Sequence, residues 1–182
     1  MHRERKIIVH IAASADGFIA RSDGSVDWLE RLKGEYGMAA FYASIDTILW
    51  GRKTYDMALD FQKKGIAGSN FDARVRNYVF THNVPKEAVP AGIEFVVEPV
   101  KEFAGRLRGE KGKDIWMMGG AEIIASFLDA GEIDEFVISV VPTFIGEGIP
   151  LIAARRRTVP LNLISSTKFP DSVVQLHYGV DK

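Results

Sequence analysis

Glycine stands twice where an apolar run meets a helical pattern, and both places carry the ingredients of an anion site. In DIWMMGGAEIIASFL, Asp114 to Leu128, the strand-like Ile115, Trp116, Met117 and Met118 lead into Gly119 and Gly120 and then a helical run. In ILWGRKTYDM, Ile48 to Met57, Gly51 is followed by Arg52, Lys53 and Thr54. The first turn of a helix presents N–H groups with no partner inside the helix, and the helix dipole favours negative charge there. Glycine leaves those groups open to a phosphate because no Cβ stands in the way. A glycine pair equally suits tight packing of helix on strand, so Gly119 and Gly120 alone fit either use; no G-x-G-x-x-G is present. Arg52 and Lys53 add weight to the anion. Cations are disfavoured at the positive end of a helix, and a bound phosphate supplies the reason for placing two there. Two such joints on one sheet imply a ligand with at least two phosphates.

Other chemistries are narrowed by what the chain lacks. It has no cysteine, which removes disulfides, thiolate nucleophiles and cysteine-based metal sites. Its four histidines, His2, His10, His82 and His177, show no ligand spacing, so no metal is expected. The H-x-E and P-C-x-x-C signature of zinc deaminases is missing. A net charge of −1 gives no field to attract nucleic acid or an acidic membrane, and the short run Arg155 to Arg157 reads as an exposed loop. No stretch approaches the roughly 20 apolar residues of a membrane span, and the N-terminus lacks the order of a signal peptide. The expectation is a cytoplasmic protein with a small-molecule ligand and neither nucleic-acid nor membrane partner.

The elements that must position the two glycine joints alternate along the chain. Lys6 to Ala13, Asp46 to Gly51, Arg76 to Thr81, Ile93 to Val97 and Glu135 to Val141 read as strands from their β-branched and aromatic runs. Helical patterns lie at Asp27 to Lys33, in AAFYASI after Gly37, after Gly51, at VKEFAGRLRG and after Gly120; the Pro-containing HNVPKEAVPAG reads as a connection. Alternation of this kind predicts an α/β fold with a mostly parallel sheet. LNLISSTKF and VVQLHY are separated by PDS alone and predict an antiparallel C-terminal hairpin. With 182 residues, 47% hydrophobic and 26% charged, and no linker or repeat, residues 1–182 are expected to form one domain.

Four blocks in order, HIAASADGFIA, DTILWGRKTYDMA, NYVFTH and IWMMGGAEIIASFL, resemble the dihydrofolate reductase superfamily. A fifth, VVPTFIGEGIPLI, Val140 to Ile152, is similar to the C-terminal reductase domain of the bifunctional riboflavin-pathway deaminase-reductase and its stand-alone relatives, with its Pro-x-x-x-G-x-G-x-P-L loop. The resemblance spans Lys6 to Tyr178. It implies a dihydrofolate reductase-like fold with helices on both faces of the sheet. It also implies an NADPH-dependent oxidoreductase that reduces a C=N or C=O bond of a small heterocycle, of pteridine or ribosylamino-pyrimidine type. A genuine dihydrofolate reductase and a non-catalytic nucleotide- or pterin-binding module are the alternatives.

The same resemblance assigns candidate residues. Gly51, Arg52, Lys53 and Thr54 match the phosphate contacts, with Arg52 also near the 2′-phosphate. Thr81 and His82 match the place that holds the adenosine 2′-phosphate. Gly119, Gly120, Ala121, Glu122 and Ile123 match the loop beneath the pyrophosphate and nicotinamide, and Ala13 and Ile19 border the nicotinamide. For the buried carboxylate that folate reductases carry on the first helix, the chain offers Asp27 and Glu35. Asp27 also fits a helix N-cap with Glu30 three residues on, and Glu35 also fits a solvated charge at a helix end. Ser139 lies in a strand matching one that lines the substrate pocket. The riboflavin branch pairs such domains, and the apolar loop Val140 to Ile152 exceeds what a lone surface loop carries, which predicts a homodimer with that loop at or near the interface.

Overall fold

The strand-forming runs assemble into one eight-stranded sheet. A computed structural model describes residues 4–65, 74–85 and 89–182, and part of the HNVPKEAVPAG connection lies outside the described residues. The strands are β1 (Ile7–Ser14), β2 (Phe18–Ala20), β3 (Ile45–Gly51), β4 (Arg76–Phe80), β5 (Ile93–Val96), β6 (Asp114–Gly119), β7 (Glu135–Val141), β8 (Ile149–Pro150), β9 (Leu161–Lys168) and β10 (Val174–Val180). The large sheet runs β5-β4-β3-β6-β1-β7-β10-β9, while β2 and β8 form a small ribbon that no alternation in the sequence announces. The first six of that order are parallel, and β10 is antiparallel to both β7 and β9, which is the expected hairpin.

Period-two alternation sends successive side chains of each strand to opposite faces. Ile48 and Trp50 of β3, with Trp116 of β6, pack under α1 (Met38–Ser44) and α2 (Arg52–Lys63), against Phe41, Tyr42 and Tyr55. Leu49 of β3, with Ile7, Val9 and Met117, packs on the other face against Phe103 and Leu107 of α3 (Val100–Gly109) and Ile124 and Phe127 of α4 (Ala121–Asp129). Helices therefore cover both faces. Among the described residues no helix is long and apolar enough to cross a membrane.

The first expected helix does not form. Asp27 to Lys33 yields a single 3-10 turn, Asp27–Leu29, and the regular helix waits until Met38. Past that turn, Tyr36 at φ 51° and Gly37 at φ 75° hold left-handed backbone, so no helix runs through them into α1. The N-cap reading of Asp27 is corrected accordingly: Val26 is the cap residue, and no side chain caps the turn.

At the amino ends of the strands, a buried arginine ties three elements together. Arg5 donates from Nε to the Lys113 carbonyl (2.6 Å), from Nη1 to the Leu107 carbonyl (3.3 Å), and from Nη2 to Thr47 Oγ1 (2.8 Å) and the Asp46 carboxylate. Its side chain is fully buried, and burial lowers its pKa while Asp46 opposes that shift. The opposite, carboxyl edge of the parallel strands is the general location of ligand sites in open α/β sheets.

Candidate cofactor and substrate site

Three glycines at the carboxyl edge bring the two joints onto one another. Gly51 ends β3 and serves as the N-cap of α2; Gly120 follows β6 and serves as the N-cap of α4. A Cβ on Gly51 would lie 3.2 Å from Ile123 Cγ2 and 3.4 Å from the Gly119 carbonyl oxygen. A Cβ on Gly120 would lie 3.1 Å from Thr54 Oγ1 and 3.8 Å from Ile19 Cδ1. Gly119 has φ +102°, and a Cβ there would meet Ile124 Cδ1 at 3.2 Å; the peptide bond between Gly119 and Gly120 is cis. The glycines thus serve close packing of one joint against the other as well as any ligand. Neither α2 nor α4 has a side-chain cap on its first turn, so the first-turn N–H groups keep their capacity for an external acceptor.

Ile19, Gly51, Thr54, Gly119, Gly120 and Ile123 are therefore brought together. Ala121 lies beside them in a cluster with Ala125 and Ala153, against which Ile19, Ile149 and Ile152 pack. Ala13 is buried near the end of β1, opposite Val140. The remaining candidates spread outward. Arg52 turns back along its helix, with Nε 2.8 and 2.9 Å from the two Asp56 oxygens and its guanidinium 5.3 Å from the centre of the Phe95 ring. Lys53 is exposed. Thr81 follows β4, and its hydroxyl donates to the Asn83 carbonyl (2.9 Å), forming a tight turn beside the exposed His82. Glu122 faces away to pair with Arg155 (3.1 Å). Arg155 and Arg157 both bind Asp129, so these two arginines of the basic run fasten their loop to α4.

Both candidate carboxylates have structural partners. Asp27 accepts two hydrogen bonds from Arg21, at 2.6 and 2.9 Å, on the surface. That pairing lowers its pKa, the bond from Arg21 being the main cause. Glu35, exposed to solvent, accepts from the Gly37 N–H (3.0 Å) and from the Ala39 N–H at the start of α1, in keeping with the solvated helix-end charge allowed by the sequence.

Several polar residues of this edge carry weak or no signals in the sequence. Asp16 accepts from the Gly146 N–H (2.8 Å), the Ile145 N–H (3.1 Å) and the Ser14 hydroxyl (2.6 Å), binding the β1–β2 turn to the loop after β7. The Ser14 bond is the main reason its carboxyl pKa is lowered. His10 is buried in the middle of β1, and burial, with a smaller effect from His177, pushes its pKa down to about 4. Ser139 and Gln175 stand near it on β7 and β10. Only the interruption of apolar strands by His10 and Gln175 marks them in the sequence.

The chain matches the model of the RibD C-terminal domain over residues 5–175. It is 38% identical to the uncharacterized protein YwjB of Bacillus subtilis (strain 168), covering 96% of this chain and 98% of that protein. A protein from Shewanella sp. PV-4 named for riboflavin biosynthesis superposes with a TM-score of 0.83 at 27% identity, covering 97% of this chain and 99% of the other. A dihydrofolate reductase from Enterococcus faecalis, solved with NADP(H) and RAB-propyl, superposes over the whole of both chains with a TM-score of 0.67 at 14% identity, a likeness of fold.

Proposed function

Because the chain belongs to the family of the RibD C-terminal domain, we propose that it is an NADPH-dependent reductase acting on a C=N or C=O bond of a small heterocycle, of pteridine or ribosylamino-pyrimidine type. The observation that carries this reading is the convergence of two helix starts without side-chain caps, cushioned by Gly51, Gly119 and Gly120, at one edge of the sheet. A dinucleotide fits that arrangement, since its pyrophosphate needs several N–H donors and a close backbone approach. When bound, NADPH supplies a hydride from its nicotinamide ring. The chain's own share is to hold and orient. The first turns of α2 and α4 and the Thr54 hydroxyl take phosphate oxygens, and Ala13 and Ile19 border the nicotinamide. Asp27 and Glu35, with their oxygens engaged by Arg21 and by the start of α1, hold loops in place. A screen of NADPH oxidation against dihydrofolate, the riboflavin-pathway pyrimidine and simple pterins tests the proposal. Turnover with dihydrofolate alone would make the protein a folate reductase. Tight NADPH or pterin binding without turnover would make it a binding module.

Cofactor preference follows from Arg52. Its bond to Asp56 is an exposed pair four residues apart, worth about 0.3–0.5 kcal/mol. A charge-assisted contact to a 2′-phosphate is worth roughly 1.5–3 kcal/mol, so the phosphate wins the guanidinium. NADPH is expected to bind about tenfold to a hundredfold more tightly than NADH in a fluorescence titration, and Arg52→Ala to remove most of that difference. Equal affinities of the unmodified protein for the two cofactors would refute this role.

The chain is further proposed to form a homodimer. Ile149 and Ile152 pack against Ala121, Ala125 and Ala153, so part of the apolar loop is already covered. Phe144 remains 79% exposed on a segment whose next two amides are held by Asp16. Light scattering should report a dimer at micromolar concentration that Phe144→Glu weakens. A monomer would overturn the dimer, and indifference to Phe144→Glu would exclude this loop from the interface.

A further inference from the structure

The start of α4 carries an anion of its own and does not use it. The first bond within the helix runs from the Ile124 N–H to the Gly120 carbonyl (3.2 Å), so the amides of Ala121, Glu122 and Ile123 come before the ladder. Glu122 is the acidic residue of that first turn, yet no side chain caps the helix. A carboxylate in this position is drawn to the open amides by their partial positive charge. The Glu122 side chain is 78% exposed, so packing does not keep it from them. What holds it is the basic run after the apolar loop. Arg155 Nη2 lies 3.1 Å from Glu122 Oε2 and 3.3 Å from Ser126 Oγ, and Nη1 lies 2.6 Å from Asp129 Oδ2. These three partners sit about one turn apart along α4, so the guanidinium lies down the helix from its start. Arg155 is itself fixed. The Ala153 N–H donates to the Ala121 carbonyl (3.3 Å), and Ala153 is buried against Ala121 and Ala125. Arg157 closes the far side, donating to Asp129 Oδ1 (2.6 Å) and to the Ala153 carbonyl (3.2 Å).

We propose that Arg155 is a positioning residue for cofactor binding: it draws the Glu122 carboxylate down α4 and so keeps the first-turn amides open to a phosphate. The inference rests on the reductase reading and adds to it a residue that makes no phosphate contact. Released from Arg155, the carboxylate and the pyrophosphate are two anions in competition for the same amides. The charge left over by that release falls on Glu122, because Asp129 keeps Arg157 as a partner. A guanidinium suits the task, since its planar fork spans two carboxylates at once, which the single point charge of a lysine does not. The basic run thus has a use that needs no nucleic acid and no acidic surface.

The test is a double-variant cycle on the full chain, read by NADPH titration and by the amide proton resonances of the ligand-free protein. Arg155→Gln should weaken NADPH about two- to fivefold at low ionic strength, and added salt should shrink the loss because both charges are exposed. Without nucleotide, the amide protons of Glu122 and Ile123 should move downfield in Arg155→Gln as the carboxylate reaches them. In the Glu122→Gln background Arg155→Gln should do neither, since no charge remains to be restrained. An arginine that only fastened its loop would cost the same affinity in both backgrounds. Equal losses in the two backgrounds, or amide resonances that stay in place, would overturn the inference and leave the reductase reading standing. Resonances that move as expected in a protein that fails to bind NADPH would uphold the restraint of Glu122 and remove the reductase reading instead.

Discussion

Replacing Gly120 with valine should abolish NADPH binding in a protein that still folds. Gly120 has φ −83° and ψ −153°, extended backbone that an L residue adopts. Its Cβ would stand 3.1 Å from Thr54 Oγ1 and 3.8 Å from Ile19 Cδ1, and Thr54 can relieve the first contact by turning its hydroxyl. Overpacking of this kind costs about 1–3 kcal/mol, or a melting temperature lower by roughly 2–12 °C for a chain of this size. The two added methyls, however, extend into the space between the starts of α2 and α4, where the pyrophosphate must reach the N–H groups. Loss of those contacts should weaken NADPH by more than a hundredfold, about 2.7 kcal/mol or more. Fluorescence titration and thermal unfolding on the same sample separate the two effects. A folded variant with normal NADPH affinity would show that Gly119 and Gly120 serve packing alone. Gly119 itself is unsuited to the test, because its φ of +102° burdens any side chain regardless of the ligand.

Arg5→Ala should be among the most destabilising single substitutions in the chain. It removes the shared partner of Asp46, Thr47 and the carbonyls of Leu107 and Lys113. Breaking a buried ion pair from one side costs about 3–5 kcal/mol; Asp46, itself partly exposed, keeps the Thr47 hydroxyl and the Lys113 N–H as donors, which places the loss towards the lower end. The melting temperature should fall by roughly 6–20 °C, and the urea midpoint should fall with an unchanged slope. The glycine joints lie at the other end of the strands, so the folded fraction should bind NADPH as before. A change below about 1 kcal/mol would mean that water takes over the hydrogen bonds of Arg5. Asp46→Ala and the double variant measure the coupling between the two.

Local signals in the chain go far here, and the places where they stop have identifiable causes. The parallel strands and their two glycine-led helices were legible because β-branched runs, glycine punctuation and helical periodicity are properties of neighbours along the chain. The antiparallel hairpin was legible from its short connection. By contrast, Asp27 to Lys33 has a sound helical face but forms only a single 3-10 turn, and left-handed backbone at Tyr36 and Gly37 separates it from α1. The chain there turns so that the Tyr36 carbonyl reaches Gln175, 139 positions away.

What the sequence by itself determined is the fold class, the pair of glycine-led helix starts, and the residues at those starts, because each depends on backbone geometry set within a few residues. What only the tertiary structure decided is how the polar side chains divide their hydrogen bonds. It gave Asp27 to Arg21, Glu35 to the start of α1, and Asp16 to the amides of Ile145 and Gly146. It also set Gln175 between Ser139, the Tyr36 carbonyl and His10, whose buried Nδ1 has no partner among the described residues. A carboxylate or an amide has the same chemistry anywhere in a sequence. Its role follows from which donors and acceptors folding places within hydrogen-bond reach of it.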